Sequence, residues 1–496
     1  MAEAQVHKNF IGGEWVDSES GKTYQVKNPA HKTTVVGEFQ SSTRVDASRA
    51  IDAASASLAA WADTPAPQRA SVLSRALGIL ERRGDELARS ITVEEGKPLP
   101  DAQGEVKRAM NIIEYAAGEG RRMFGYTTPS ELPTTVAYTV RRPVGVVAII
   151  TPWNFPLAIP AWKMGPALIC GNTLVFKPAS STPMTAVKLV EVFEEAGLPP
   201  GVLNLVTGSG SSVGNTLVES PDVKGISFTG STEIGTGIYA DGARSLKKVQ
   251  CEMGGKNAVI LLEDADLDKA LDGIVQGAFG STGQRCTATS RAIVEESIYD
   301  DFMGQLIDRT SKLKVGDGLD PEVDVSPLSS ESQLNTVMGY IGIGAEEGAN
   351  LAYGGKQLSG GIYDDGYYVE PTIFTNVDPS MRIAQEEIFG LVLTAFKARD
   401  MDHAMEISNN VEFGLSSSIY TRDLTKAFHY VNTSEAGMVH VNAPTLGGEV
   451  HLPFGGLKSS GVGHREQGVE AVEFFSEVIT VYVDYGGVPR TQAKFI

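Results

Sequence analysis

Five short, predominantly apolar runs constrain this chain most. They are Val144 to Ile150, Thr173 to Lys177, Leu203 to Val206, Gly225 to Phe228 and Ala258 to Leu261. Runs this short and this apolar read as strands buried on both faces, which occur in parallel sheets covered by helices. Helical patterns such as Met184 to Gly197 lie between them. Strand and helix alternating in this way predict a parallel α/β sheet of dinucleotide-binding type.

Upstream, Val45 to Trp61, Gln68 to Glu95 and Asp101 to Gly120 carry apolar residues at helical spacing and are broken by Pro or Gly, which predicts three helices. Thr135 to Arg142 alternates as a strand with one exposed face. After Asp264 a second alternation begins: a helix over Leu267 to Phe279, a loop bearing Cys286, then strands and helices to about Val441. Glu473 to Tyr485 alternates again, and an exposed pair of such strands suggests an edge that needs cover. A chain of 496 residues exceeds one ordinary core, so two or three domains are expected.

Charge narrows the partners. The formal net charge is -19, a surface that repels nucleic acid and anionic membrane, so neither is expected as a partner. Cys170, Cys251 and Cys286 show no paired spacing, which argues against a disulfide scaffold and for a reducing compartment. No Cys/His cluster has metal-ligand spacing, so no metal is expected. Met1 to Trp15 lacks the apolar core of a signal peptide, and the apolar stretches are too short for a bilayer. The expected location is cytoplasmic.

Three runs hold the chemistry. Cys286 lies in Gly283-Gln284-Arg285-Cys286-Thr287-Ala288-Thr289-Ser290, Glu252 in Cys251-Glu252-Met253-Gly254-Gly255-Lys256-Asn257, and Asn154 in Pro152-Trp153-Asn154-Phe155-Pro156. A thiol, a carboxylate and a side-chain amide supply nucleophile, base and oxyanion donor, the set that acyl chemistry through a thioester needs. Alone, a free Cys is more often a small buried hydrophobe, and a Glu before Met-Gly-Gly can simply cap a turn. Together and in this order the runs resemble the aldehyde dehydrogenase superfamily, from about Asn9 to about Tyr485.

The resemblance implies two parallel-sheet α/β domains and a small β oligomerisation arm. Residues 1–122 and 144–254 would bind the dinucleotide, 255–454 would carry the nucleophile, and 123–143 with 470–496 would form the arm of a homodimer or homotetramer. Cys286 would attack the aldehyde carbon, Asn154 and the Cys286 N–H would hold the oxyanion, and Glu252 would activate water for hydrolysis. Relatives that pass the acyl group to coenzyme A generally lack this glutamate. Lys163 and Glu466 match a family pair for which two roles stay open, proton relay or structural salt bridge. A phosphorylating variant would need a His beside the thiol; His440, His451 and His464 could reach it only through the fold. A non-catalytic protein on this fold is the remaining alternative, and retention of all three groups argues against it.

Gly208 to Gly214 is a glycine-rich turn after a strand, a weak signal alone. Phe228-Thr229-Gly230-Ser231-Thr232-Glu233-Ile234-Gly235 is better placed to open a helix on a pyrophosphate. By resemblance, Trp153, Gly230, Ser231, Gly235 and Gly254 surround the cofactor, Lys177 meets the adenosine ribose, and Glu387 with Phe389 holds the nicotinamide ribose. Leu391 replaces the usual Pro after Gly390, which predicts a looser loop. Ser180 stands where many NAD-preferring relatives have Glu. An uncharged hydroxyl does not repel a 2′-phosphate, so NADP is expected to be accepted alongside NAD, with preference left open.

Phe155, Trp162 and Phe454 fall at family positions lining the aldehyde tunnel. The Arg pair usual in succinate semialdehyde dehydrogenases is missing, at Trp162 and at Gly280. Arg285 could meet a substrate carboxylate as a bidentate fork or form a salt bridge under its loop. The runs Ala161 to Lys163, Ser281 to Ala288 and Glu449 to Gly456 are similar to 2-oxoglutarate semialdehyde (2,5-dioxopentanoate) dehydrogenases. That substrate is the expectation, with a broad aliphatic or aromatic aldehyde dehydrogenase as alternative.

Overall fold

The computed structural model describes residues 5–486. Two sheets organise it. In the first, Val146–Ile150 is flanked by Thr173–Lys177 and Val223–Thr229, with Leu203–Leu205 and Lys248–Glu252 outside them, all parallel. Every residue of Val146–Ile150 and Thr173–Lys177 is buried, as continuous apolar runs require. Each such Val, Ile or Phe contributes about 1.5–3 kcal/mol by leaving water. The chain fills one side of the sheet and then returns to fill the other. Its switch point therefore lies between the carboxyl ends of Val146–Ile150 and Val223–Thr229, where open α/β sheets bind ligands.

The second sheet runs Asn350–Tyr353, Thr372–Thr375, Val392–Ala398, Thr289–Glu295, Asn257–Leu261, Ser416–Tyr420, Met438–Val441, parallel except at its first pair. It has its own core, built around Ile260, Ile293, Phe302, Phe374 and Phe396. Gly461–Val462 then crosses back and pairs antiparallel with Lys248–Glu252, setting Glu252 opposite Gly461. A third sheet, Thr127–Pro129, Thr135–Pro143 and Ser476–Asp484, is antiparallel and projects Val136, Val478, Tyr482 and Val483 outward. The expected tail strand thus begins at Ser476, because Gly468–Phe474 is a helix. The tail beyond residue 486 and the first four residues lie outside the described residues.

The single helix expected over Gln68 to Glu95 is two, Ala66–Arg82 and Gly84–Glu95. Arg83 leaves helical dihedrals (φ -97, ψ 11), which turns Leu87, Ala88 and Ile91 into the first core. Thr23–Asn28 pairs with His31–Gln40, which also pairs with Val6–His7, and the three strands form a small outer sheet. Among the described residues no helix is long and apolar enough to cross a membrane.

Candidate active site

The nucleophile loop is a tight turn. Helix Leu267–Phe279 starts on Asp266, whose carboxylate accepts the Lys269 N–H at 3.2 Å. Beyond it come three left-handed residues, Ser281 (φ 46), Thr282 (φ 60) and Gly283 (φ 65). Such backbone costs about 1–3 kcal/mol at each non-glycine position, offset here by specific bonds. Asp101 accepts from the Ser281 N–H at 2.9 Å and hydroxyl at 2.6 Å, and Thr282 donates to the Ser326 carbonyl at 3.1 Å. At Gly283 a Cβ would sit 2.4 Å from the Gly390 carbonyl oxygen, so only glycine fits. Cys286 emerges half-buried at the head of strand Thr289–Glu295. Burial first, and then Glu387, Glu252 and Glu466, push its thiol up to about 12.

Asn154 follows the central strand of the first sheet and is buried. Its amide donates to the Gln284 carbonyl at 3.0 Å, which brings it beside the nucleophile. Two residues that sequence reading missed hold it there. Lys97 donates to the Asn154 carbonyl at 2.5 Å and to Glu105 at 2.7 Å, with its ammonium 4.1 Å from the Phe155 ring centre. Glu105 also accepts the Leu157 and Ala158 N–H groups at 2.8 and 3.0 Å, which caps helix Ala158–Ile169. The available signal was a carboxylate inside the apolar stripe Ala102, Glu105, Val106, Ala109, Ile112.

Glu252 ends its strand 2% exposed. Its Oε2 accepts the Gly456 N–H at 3.3 Å, while Oε1 has no partner. Burial raises its pKa well above the carboxylate range and Glu466 adds to this; Arg465 and Lys163 oppose it. Glu466 and Lys163 form a buried ion pair, and Lys163 also donates to Ser227 at 3.0 Å. Cys251, beside the base, is a fully buried core residue.

Across the cleft lie the expected cofactor positions. Trp153 leaves the switch point and meets Phe389 edge-on at 5.4 Å. Gly230 donates its N–H to the Glu252 carbonyl at 3.1 Å. Ser231 precedes helix Thr232–Arg244 without a side-chain bond to it, leaving first-turn N–H groups for an anion. Gly235 packs on Met253 within that helix. Glu387 is buried, accepts the Gly255 N–H at 2.8 Å, and would clash at 2.4 Å with a Cβ on Gly254. Burial raises its carboxyl to about 7. Burial also lowers the Lys177 ammonium to about 8. Ser180 is exposed, and its hydroxyl donates to the Gly208 carbonyl at 3.0 Å. Leu391, expected to loosen the nicotinamide loop, is instead fully buried, and its carbonyl accepts the Thr372 N–H at 2.9 Å. An open cradle of backbone N–H groups and a buried lysine at the strand ends fits a dinucleotide.

On the aldehyde side, the Trp162 and Phe454 rings meet at 5.4 Å, tilted by 36°, and Phe155 packs against the cluster of Ile112, Ile159 and Trp162. Arg285 does not face this wall as a free cation: it pairs with Asp101 at 3.1 Å and donates to Ser281 at 2.5 Å. That is the structural salt bridge, and Asp101 uses the same carboxylate to hold the loop. Among the described residues none of His440, His451 and His464 bonds to Cys286; His451 and His464 pair with Glu449 and Glu470.

A dinucleotide-type sheet whose switch point faces a thiol, an amide donor and a buried carboxylate defines a thiol-dependent dehydrogenase. The chain belongs to the aldehyde dehydrogenase family, whose sequence profile matches residues 15–481. It is 46% identical to the alpha-ketoglutaric semialdehyde dehydrogenase of Bacillus subtilis, over 97% of this chain and 99% of that protein. It is 47% identical to the alpha-ketoglutarate semialdehyde dehydrogenase of Haloferax volcanii, over 96% and 99%. The betaine aldehyde dehydrogenase of Staphylococcus aureus, solved with NAD+, matches at TM-score 0.95 and 34% identity, over 99% of this chain and 97% of that one. The protein is an NAD(P)-dependent enzyme that oxidises an aldehyde to its acid.

Proposed function

We propose that the enzyme oxidises 2-oxoglutarate semialdehyde to 2-oxoglutarate. The observation that carries this is 46–47% identity, over nearly the whole chain, to two relatives that bear that activity in their names. Cys286, having given its proton to solvent, adds as thiolate to the aldehyde carbon. The amide of Asn154 gives one N–H to Gln284 and has a second for the oxyanion, with the Cys286 N–H beside it. When bound, NAD(P) accepts the hydride that leaves the thiohemiacetal carbon. Glu252 then takes a proton from the water that attacks the thioester, releasing the acid and restoring the thiolate. Burial raises the Glu252 pKa well above the carboxylate range, and a carboxylate so raised is the stronger proton acceptor, as a general base must be. N–H donors stabilise the oxyanion, so the reaction needs no metal.

Trp153, Lys177, Gly230, Ser231, Gly235, Gly254, Glu387 and Phe389 are the residues we assign to the cofactor. Ser180 supports use of NADP as well as NAD, because it sets no negative charge at the ribose. The domain roles follow: residues 1–122 and 144–254 for the dinucleotide, 255–454 for the thiol, 123–143 and 470–496 for a second copy. Exposed apolar residues on the arm support a homodimer or homotetramer, and three free cysteines support a cytoplasmic location.

A second reading, a generalist for aliphatic or aromatic aldehydes, is favoured by the apolar wall of Phe155, Trp162 and Phe454. The test is reduced-nicotinamide production from 2-oxoglutarate semialdehyde, succinate semialdehyde, hexanal and benzaldehyde, with NAD and NADP in parallel and Cys286→Ala as blank. A kcat/KM preference of at least about tenfold for 2-oxoglutarate semialdehyde is expected. Equal or better rates with hexanal and benzaldehyde would establish the generalist instead.

A further inference from the structure

The cations around the nucleophile are nearly all committed. Lys97 is paired with Glu105, Lys163 with Glu466 and Arg285 with Asp101, and Arg465 sets its charge against Glu252. Arg108 is the exception. It projects from helix Leu99–Glu119, and its guanidinium stands 5.8 Å from the Trp162 ring centre. It donates to the Gln467 side-chain carbonyl at 2.9 Å and to the Gly448 carbonyl. Among the described residues it has no carboxylate at ion-pair distance.

A partly buried arginine held by neutral acceptors retains its charge without compensation. Burial lowers its pKa, and Cys286 alone opposes that. The two acceptors use two of its five N–H groups, leaving three. Two further donors in this neighbourhood are buried without an acceptor, the Trp162 indole N–H and the Gln467 amide nitrogen. Gly448 ties the group to the tunnel wall: a Cβ there would lie 3.5 Å from the Phe454 ring and 3.6 Å from the Arg108 guanidinium. Gln467 itself is held at φ 65, a conformation that its environment must over-determine. An unpaired cation and two orphan donors beside an apolar wall suit an elongated aldehyde with an anionic far end. In a chain of net charge -19, such a substrate needs a local cation.

We propose that Arg108, supported by Gln467 and Trp162, is the specificity-determining anchor for a carboxylate at the far end of the aldehyde substrate. This rests on the proposed function, because it presumes an acidic aldehyde. The anchor replaces Arg285 in that role.

The experiment compares kcat/KM for 2-oxoglutarate semialdehyde and for hexanal in wild type, Arg108→Gln and Arg108→Lys. The semialdehyde-to-hexanal ratio should fall about 100-fold in Arg108→Gln, the scale of losing one partner of a desolvated charge pair. Arg108→Lys, which keeps the charge but not the fork, should recover part of that loss. Inhibition by 2-oxoglutarate should weaken in parallel. If Arg108→Gln does not fold, Arg108→Lys decides alone, through a roughly tenfold fall in the ratio. A wild type that prefers the semialdehyde, with a ratio moved less than about twofold in the folded variants, would overturn the anchor and leave the substrate reading intact. A wild type that prefers hexanal would overturn the substrate reading and the anchor with it.

Discussion

Beneath Asn154, Lys97 and Glu105 form a buried pair in which every oxygen is used: Glu105 takes two backbone N–H groups and the ammonium, and Lys97 passes its charge to the Asn154 carbonyl and the Phe155 ring. Beneath Glu252 lies a second buried pair, Lys163 and Glu466, finished differently. Oε1 of Glu252 and Oε2 of Glu466 have no partner, and Glu466 adds to the cost of ionising Glu252. Both pairs are buried, so an unused lone pair is expensive in either. The satisfied network fixes geometry, which an oxyanion donor requires. The unsatisfied one keeps a proton acceptor poised, which hydrolysis requires.

The largest effect should come from removing the poised group. Glu252→Gln keeps the shape and removes the base, so steady-state turnover should fall about 10²–10⁴-fold. Hydride loss precedes hydrolysis, so stopped-flow should still show a burst of one reduced nicotinamide per active site. Loss of the burst together with turnover would place Glu252 before the hydride step and erase the contrast. The satisfied network should fail in another currency, stability. Lys97→Met leaves Glu105 buried and unpaired, a loss of about 3–5 kcal/mol that urea unfolding would read. A stability within about 1 kcal/mol of wild type would mean that the pair is not a structural clamp.

How far the sequence foretold these two networks differs for a physical reason. Cys286, Glu252 and Asn154 could be singled out because thiol, carboxylate and amide lie in three short runs that together resemble the family's. The parallel strands were legible because burial on both faces leaves no polar alternation. Lys97, Glu105 and Arg108 were not, since they flank or sit on one helix whose facing is decided by what packs on it. Glu105 within an apolar stripe was the one local hint. Arg285 was ambiguous for a related reason: its partner Asp101 is distant in sequence, and only the fold brings the two together. The break at Arg83 and the outer sheet of residues 23–40 had no periodicity to announce them.

The smallest expected effect tests whether the unsatisfied pair tunes the base or merely fills space. Burial is the main cause of the raised Glu252 pKa and Glu466 is the next, while Lys163 acts in the opposite direction. Glu466→Gln removes a like charge, so Glu252 should lose its proton more readily. The acid limb of the kcat profile should then move to lower pH by about one unit, the scale on which one nearby charge acts. Below that limb the variant, once corrected for its plateau rate, should retain more of its activity than wild type. Lys163→Met removes the opposing charge and should move the limb upward. A purely structural pair would lower the plateau in both variants and leave the limb in place. Limbs moving in opposite directions therefore separate tuning from packing, because loss of packing has no sign.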